Sequence, residues 1–203
     1  DGILGSSMSL QGMSGENVKI MIDGIAVIGK QDGGIDLSQL NLNDVERIEI
    51  VEGPMSVNYG TDALAGVVNI ITKTPNRQGS NFSLNSYYEN VGKYNLDGSV
   101  SQAFGNYAIS VSLGRNYFDG WKETDPLFKE NEPIADSTRF KTWKPKEQYF
   151  GKFKYQYQQK NTSVIYTLSA FDEKITNRGM PRLPYYETAF DDYYNTQRID
   201  NSV

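Results

Sequence analysis

The chain has 203 residues, 20 of them basic and 25 acidic, for a formal charge of −5, and it contains neither cysteine nor histidine. Without thiols there are no disulfides and no thiolate metal sites, and without imidazole the usual metal ligand and general base are missing. Zinc, haem–histidine, Ser–His and Cys–His centres are therefore excluded. No basic block marks a nucleic-acid surface, and no run of about 18 apolar residues forms a spanning helix, although a spanning strand needs only about 9–11 residues.

Hydrophobic residues make up 38% of the chain and aromatics 12%, with 14 Tyr. A Tyr-rich, β-branched and Gly-punctuated composition favours β-structure. Asp1 is not an initiator Met and no signal segment follows it, so the chain reads as a mature or excised piece.

Residues 1–17 are Gly/Ser-rich and weakly patterned. VKIMI (18–22) is a short apolar strand closed by a turn at Asp23-Gly24, and residues 25–28 continue as a second short strand. GKQDGG (29–34) is too Gly-rich for regular structure. It lacks the carboxylate spacing and terminal Glu of a Ca²⁺ loop, so it reads as a plain loop. Asp36 is placed to cap a short helix over 37–41, with Leu37 and Leu40 on one side.

VERIEIV (45–51) alternates, with Ile48 and Ile50 on one face and Arg47 and Glu49 on the other. Gly53-Pro54 ends it, because Pro54 has no amide hydrogen to donate. MSVNYGTDALAG (55–66) reads as a tight loop with about one helical turn, shaped by Tyr59-Gly60 and Gly66. No Lys-Ser/Thr follows these glycines, so they do not form a phosphate cradle. VVNIIT (67–72) is a mostly buried strand interrupted by Asn69.

After Pro75 the pattern changes to long alternating segments. Phe82, Leu84 and Tyr88 begin it, followed by Tyr94, Leu96, Gly98 and Val100, then Tyr107, Ile109, Val111 and Leu113. Tyr149, Gly151, Phe153, Tyr155 and Tyr157 come next, then Val164, Tyr166, Leu168 and Ala170, and a weaker segment over 193–203. These are about six consecutive strands, most of about ten residues or more, against the usual ~5–6. One face is apolar or aromatic and the other is Ser, Asn, Gln, Lys and Gly. A soluble sheet with one wet face alternates in this way, and so does an outer-membrane barrel.

The connections favour the barrel. The links around Gly105-Asn106 and Lys160-Asn161 are short, while 119–147 and 176–192 are long. In a meander all the long links then share one end, the asymmetry of short periplasmic turns and long external loops. Tyr87, Tyr88, Tyr94, Tyr107, Tyr117, Tyr149 and Tyr157, at strand ends, suit interfacial girdles.

VKIMIDGIAV, IDLSQ and DVERIEIVEGPMSVNYGTDALAGVVNIITK closely resemble TonB-dependent outer-membrane receptors, in that family's order and spacing over roughly 18–75. Residues 76–203 resemble the family by architecture. The resemblance implies that 1–75 are the C-terminal part of a plug domain (α+β, with a small mixed sheet). It implies that 76–203 are the first six or so strands of a plugged, antiparallel barrel of about 22 strands in the outer membrane of a Gram-negative bacterium. A TonB box and the first half of the plug are expected before Asp1, and about sixteen strands after Val203.

The function it implies is import of a scarce ligand (iron–siderophore, haem or cobalamin), energised by the inner-membrane TonB complex. The implied partners are that complex, outer-membrane lipid and the small ligand, with no nucleic acid, no resident cofactor and no enzymatic activity. Binding or signalling without import is the alternative, and a soluble β-sandwich is the competing fold. Asp23, Gly24, Gly53, Pro54, Tyr59, Gly60 and Gly66 form the structural plug motif. By family position the plug apex is 29–34, with Gln31 and Asp32 as its polar tips. Trp121, Trp143, Tyr185 and Tyr186 on the long loops are the aromatic candidates for ligand contact. Asp119, Glu123, Asp125, Glu130 and Asp136 have oxygen chemistry suited to Ca²⁺, but read better as a solvated acidic loop. Two departures from the pattern are Glu52, where the family has Arg, and Ala65, in place of the first of paired glycines.

Overall fold

A computed structural model describes residues 9–10, 12–13, 17–27, 36–53, 59, 63–75, 79–120, 144–178 and 191–203. The chain divides into two compact units, the first ending at Thr74 and the second beginning at Pro75.

The first unit is a four-stranded sheet ordered β2-β1-β4-β3, built from β1 (Val18–Ile22), β2 (Ile25–Ala26), β3 (Val45–Glu52) and β4 (Gly66–Thr72). β4 is central, parallel to β1 and antiparallel to β3. A strand covered on both faces reads as a continuous apolar run, and GVVNIIT is mostly buried. Val18, Ile20, Leu40, Ala65, Val68 and Ile70 form the core on one side, while Met21, Ala63 and Val67 cluster separately. β3 is different: Ile48 and Ile50 are both about half exposed, so its alternation does not bury an apolar face among the described residues.

The Asp23-Gly24 turn joins β1 to β2 as a two-residue hairpin, with φ +50 and +83. Both central residues of a type I′ turn need positive φ, which Asp and Gly tolerate. The Asp23 carboxylate then does a second job. Its Oδ1 accepts from the Thr72 amide at 2.8 Å and its Oδ2 from the Thr72 hydroxyl at 2.5 Å, tying the turn to the last residue of β4. Asn69, the polar break in β4, accepts from the Gly24 amide at 3.0 Å, so the same turn satisfies it.

The expected helix over 37–41 is instead two short 3₁₀ turns, Leu37–Gln39 capped by Asp36 and Leu42–Asp44 capped by Asn41. Each cap side chain accepts from the amide two residues on, closing a local turn that competes with a regular helix. The helical turn expected within 55–66 falls mostly outside the described residues.

The second unit is a six-stranded antiparallel meander, β5 (Ser80–Glu89), β6 (Lys93–Phe104), β7 (Tyr107–Phe118), β8 (Lys146–Gln159), β9 (Thr162–Arg178) and β10 (Asp191–Ser202), paired in chain order. The registers run without a shift from β5 to β9. Phe82, Val100, Val111, Phe153 and Leu168 form one cross-strand row, and Leu84, Gly98, Leu113, Gly151 and Ala170 the next. On the other face Ser83, Ser99, Ser112, Lys152 and Ser169 share a row.

Burial here is inverted relative to a soluble sheet. Phe82 is 72% exposed and Leu113 64%, while Lys154 is 3% and Glu173 2% exposed. A soluble monomer rarely leaves so large an apolar face open. Tyr88, Tyr94 and Tyr117 form an aromatic row near one end of the apolar face, and Tyr107 and Tyr157 a second near the other. From Tyr107 to Tyr117 the strand spans about 33 Å, or about 25 Å in height at the tilt usual for barrels, the height of a membrane-spanning apolar band. Tyr87 departs from the expected girdle. It pairs with Asn95, on the opposite face, and its hydroxyl bonds to Glu89.

Two substitutions test the first unit. A Cβ at Gly66, where φ is +146, would run into the Val51 carbonyl oxygen and lie 2.8 Å from Leu10 Cδ2. Gly66→Ala is expected to cost about 3 kcal/mol, read as a lowered urea midpoint for unfolding of the first unit. Asp23→Ala removes two charge-assisted bonds and a residue tolerant of positive φ, for an expected loss of about 2–3 kcal/mol. Asp23→Asn, which keeps the turn, should lose less in the same titration.

Candidate ligand-facing end of the sheet

The order of β5 to β10 places the feet of both long connections, 119–145 and 179–190, at one end of the sheet. The two-residue turns Gly105-Asn106 and Lys160-Asn161 lie at the other. Their first residues have φ +60 and +48, the positive values that tight hairpins of this length demand. The link over 90–92 belongs with the long connections and is fixed by the Gly92 amide donating to the Glu89 carbonyl at 3.0 Å.

Side chains stiffen the end that carries the long connections. On the polar face, Lys146 pairs with Glu173 at 3.0 Å, and Gln148 donates to the same carboxylate at 2.6 Å. Asn116 reaches Gln148 from β7 at 3.5 Å, so three strands share one polar chain. Glu173 is almost fully buried, and a buried carboxylate is tolerated only with such partners. On the apolar face, Arg115 donates through Nε and Nη2 to Glu147 at 3.0 and 2.7 Å, and its guanidinium stands 5.1 Å from the Tyr117 ring and 5.8 Å from that of Tyr149. At the end of β9 and the start of β10, Asn177 donates to Asp192 at 3.2 Å, joining the two feet of the second long connection. Lys144, at the foot of the first, has its amine held below the usual lysine range by burial.

The residues expected to meet a ligand fall elsewhere. Gln31, Asp32, Trp121, Trp143, Tyr185 and Tyr186 lie outside the described residues, as do Pro54, Gly60 and the acidic positions 123, 125, 130 and 136. Among the described residues no group of His, Cys, Asp or Glu is placed to hold a metal ion. What the structure does place is the rest of the plug motif. Asp23 and Gly24 form the turn described above, Gly53 ends β3 with its amide on the Ala65 carbonyl at 3.1 Å, and the Tyr59 carbonyl accepts from Lys19 Nζ at 2.6 Å. The Glu173 network escaped the sequence reading because the alternation stops at Ala170. β9 nevertheless continues to Arg178, held by register pairs from Gly151–Ala170 to Lys146–Ile175.

Residues 1–67 match the family model of the TonB-dependent Receptor Plug Domain. Solved structures share the fold of most of the chain. The siderophore receptor PirA from Acinetobacter baumannii aligns over 82% of this chain and 25% of its own, at 18% identity and a TM-score of 0.57. The FrpB iron transporter from Neisseria meningitidis, in its apoprotein form, aligns over 96% and 30%, at 17% identity and 0.62. A mutant ferric enterobactin receptor, PfeA from Pseudomonas aeruginosa, in complex with enterobactin, aligns over 82% and 26%, at 20% identity and 0.54. The chain thus spans about a quarter of the length of the receptors it matches. The first third of the chain thus matches the plug domain of TonB-dependent receptors, and most of the chain shares the fold of solved siderophore and iron receptors.

Proposed function

We propose that this chain is part of an outer-membrane receptor that captures a scarce nutrient and passes it inward, energised by the inner-membrane TonB complex acting on the plug. The observation that carries the reading is the inverted burial of β5 to β10 directly after a plug domain. Apolar side chains turned outward and polar ones buried suit a strand that meets lipid on one side only. The division of the chain into a plug piece, 1–75, and barrel strands, 76–203, belongs to the same proposal.

An iron–siderophore is the ligand class we favour over haem and cobalamin, because the similar solved receptors are described as siderophore, iron and ferric enterobactin proteins. Ligand capture falls to the end of the sheet that carries the long connections. Trp121, Trp143, Tyr185 and Tyr186 supply broad aromatic surface there, and Gln31 and Asp32 supply polar contacts from the plug apex. An enzymatic role is disfavoured by the absence of His and Cys.

Under iron limitation, a deletion strain should fail to grow on one ferric siderophore and recover with the gene on a plasmid, and loss of TonB should give the same defect. Unchanged growth on ferric siderophores, haem and cobalamin would contradict import. Binding retained without uptake would favour signalling. Trp121→Ala with Trp143→Ala is expected to weaken binding of the ligand so identified by about tenfold or more, measured by radiolabelled ligand on intact cells.

A further inference from the structure

Of the tyrosines expected in girdles, Tyr87 alone sits on the polar face of the second unit, 50% exposed, at the end that carries the long connections. It heads a row that crosses five strands at one level: Tyr87, Asn95, Asn116, Gln148 and Glu173. The Tyr87 hydroxyl donates to Glu89. The Lys93 ammonium stands 5.6 Å from the Tyr87 ring and 3.6 Å from the same carboxylate. The ring is thereby held in place while half the residue stays exposed. Next in the row, the Asn95 carbonyl oxygen has no hydrogen-bond partner, and Asn116 reaches Gln148 only at 3.5 Å. Polar atoms of this kind are nearly always paired in folded proteins, so the two asparagines have bonding capacity to spare.

The charges around this row cancel. Among the described residues, each lysine on this face at this level has a carboxylate partner: Lys93 faces Glu89, and Lys146 lies 3.0 Å from Glu173. Lys152 and Lys154, lower on the same face, are also engaged. The long connections over 119–145 and 179–190 carry acidic and basic side chains in near-equal number, with the acidic ones in slight excess. A polyanionic chelate brought here would lose water without meeting an unpaired cation, and an acidic chain would slow its approach. A chelate with no net charge avoids both costs. It gains from an aromatic ring and from amides that accept and donate.

We propose that the iron chelate taken by this receptor has no net negative charge, as in a ferric trihydroxamate, and that Tyr87, Asn95 and Asn116 contact it from the polar face. The Tyr87 ring packs on its apolar arms, and the two asparagine amides bond to its N–H and C=O groups. This rests on the receptor reading above, in which the polar face lines the inside of a barrel and the ligand enters from the end with the long connections. A ferric tris-catecholate, a polyanion, is the chelate chemistry that the row disfavours.

The test measures binding of chelates labelled with radioactive iron to intact cells whose only siderophore receptor is the full-length protein. Across a panel of neutral ferric trihydroxamates, one is expected to bind saturably, and ferric enterobactin, a tris-catecholate, should fail to compete at about hundredfold excess. Tyr87→Ala with Asn95→Ala should weaken that binding about tenfold, while Tyr87→Phe, which keeps the ring, should retain most of it. Glu89→Gln leaves Lys93 without its carboxylate, so ferric enterobactin should then compete at about tenfold lower concentration. All variants should keep the heat-modifiable mobility of a folded barrel. Tighter binding of ferric enterobactin than of any trihydroxamate by wild type, binding of haem or cobalamin instead, unchanged binding by the folded Tyr87 and Asn95 variant, or no gain in Glu89→Gln would overturn the proposal and leave the receptor reading intact. Binding of no ferric chelate, haem or cobalamin would overturn both.

Discussion

The carboxylate of Asp23 is where the first unit closes on itself. A tight turn between two short strands has little to hold it, since a two-stranded hairpin alone is marginal in water. Here the turn residue also clamps Thr72 through both carboxylate oxygens, and its neighbour Gly24 satisfies Asn69. The β1–β2 hairpin is thereby fixed to the end of β4, two residues before the chain leaves the unit at Thr74. β4 can then be apolar on both faces, because β1 and β3 pair its edges and the turn takes up its one amide side chain. The parallel pairing of β1 with β4 brings Val18, Ile20, Val68 and Ile70 together as the core.

The second unit obeys the opposite rule. Most large apolar groups of its strands are exposed, while Asp97, Gln148, Lys154, Gln156 and Glu173 are buried beside Ala108, Phe171 and Ile175. In water such an arrangement would forfeit the hydrophobic gain and also desolvate polar groups. In a bilayer the exposed face costs nothing, and the polar face is sheltered from lipid. Buried charges such as Glu173 are held by partners on neighbouring strands, so the unbroken register that aligns the apolar rows also aligns the ion pairs.

Much of this was legible in the sequence, for identifiable reasons. Period-two alternation located all six long strands, and Asp-Gly located the hairpin, because only a few residue types tolerate positive φ in adjacent positions. The 3₁₀ turns over 37–44 were less legible. Asp36 and Asn41 mark a cap, but nothing in LSQLN says that the turn stops after three residues. The far end of β9 was hidden for another reason. FDEKITNR has no apolar alternation, and only pairing with β8 makes it a strand. Alternation alone does not give the inversion of burial, since it defines two faces without saying which one meets solvent; the pattern of short and long connections is what points to it.

The account stands or falls on the claim that these strands cross the outer membrane with both long connections outside. The absence of cysteine from this chain allows a direct measurement. Asp119→Cys, Asp191→Cys, Asn106→Cys and Asn161→Cys, each introduced into the full-length protein after any cysteine outside this chain is replaced by serine, can be exposed, on intact cells, to a maleimide that does not cross the outer membrane. The account predicts labelling at 119 and 191, with 106 and 161 labelled only after the membrane is permeabilised. Labelling of 106 and 161 on intact cells, or of all four positions alike, would contradict it.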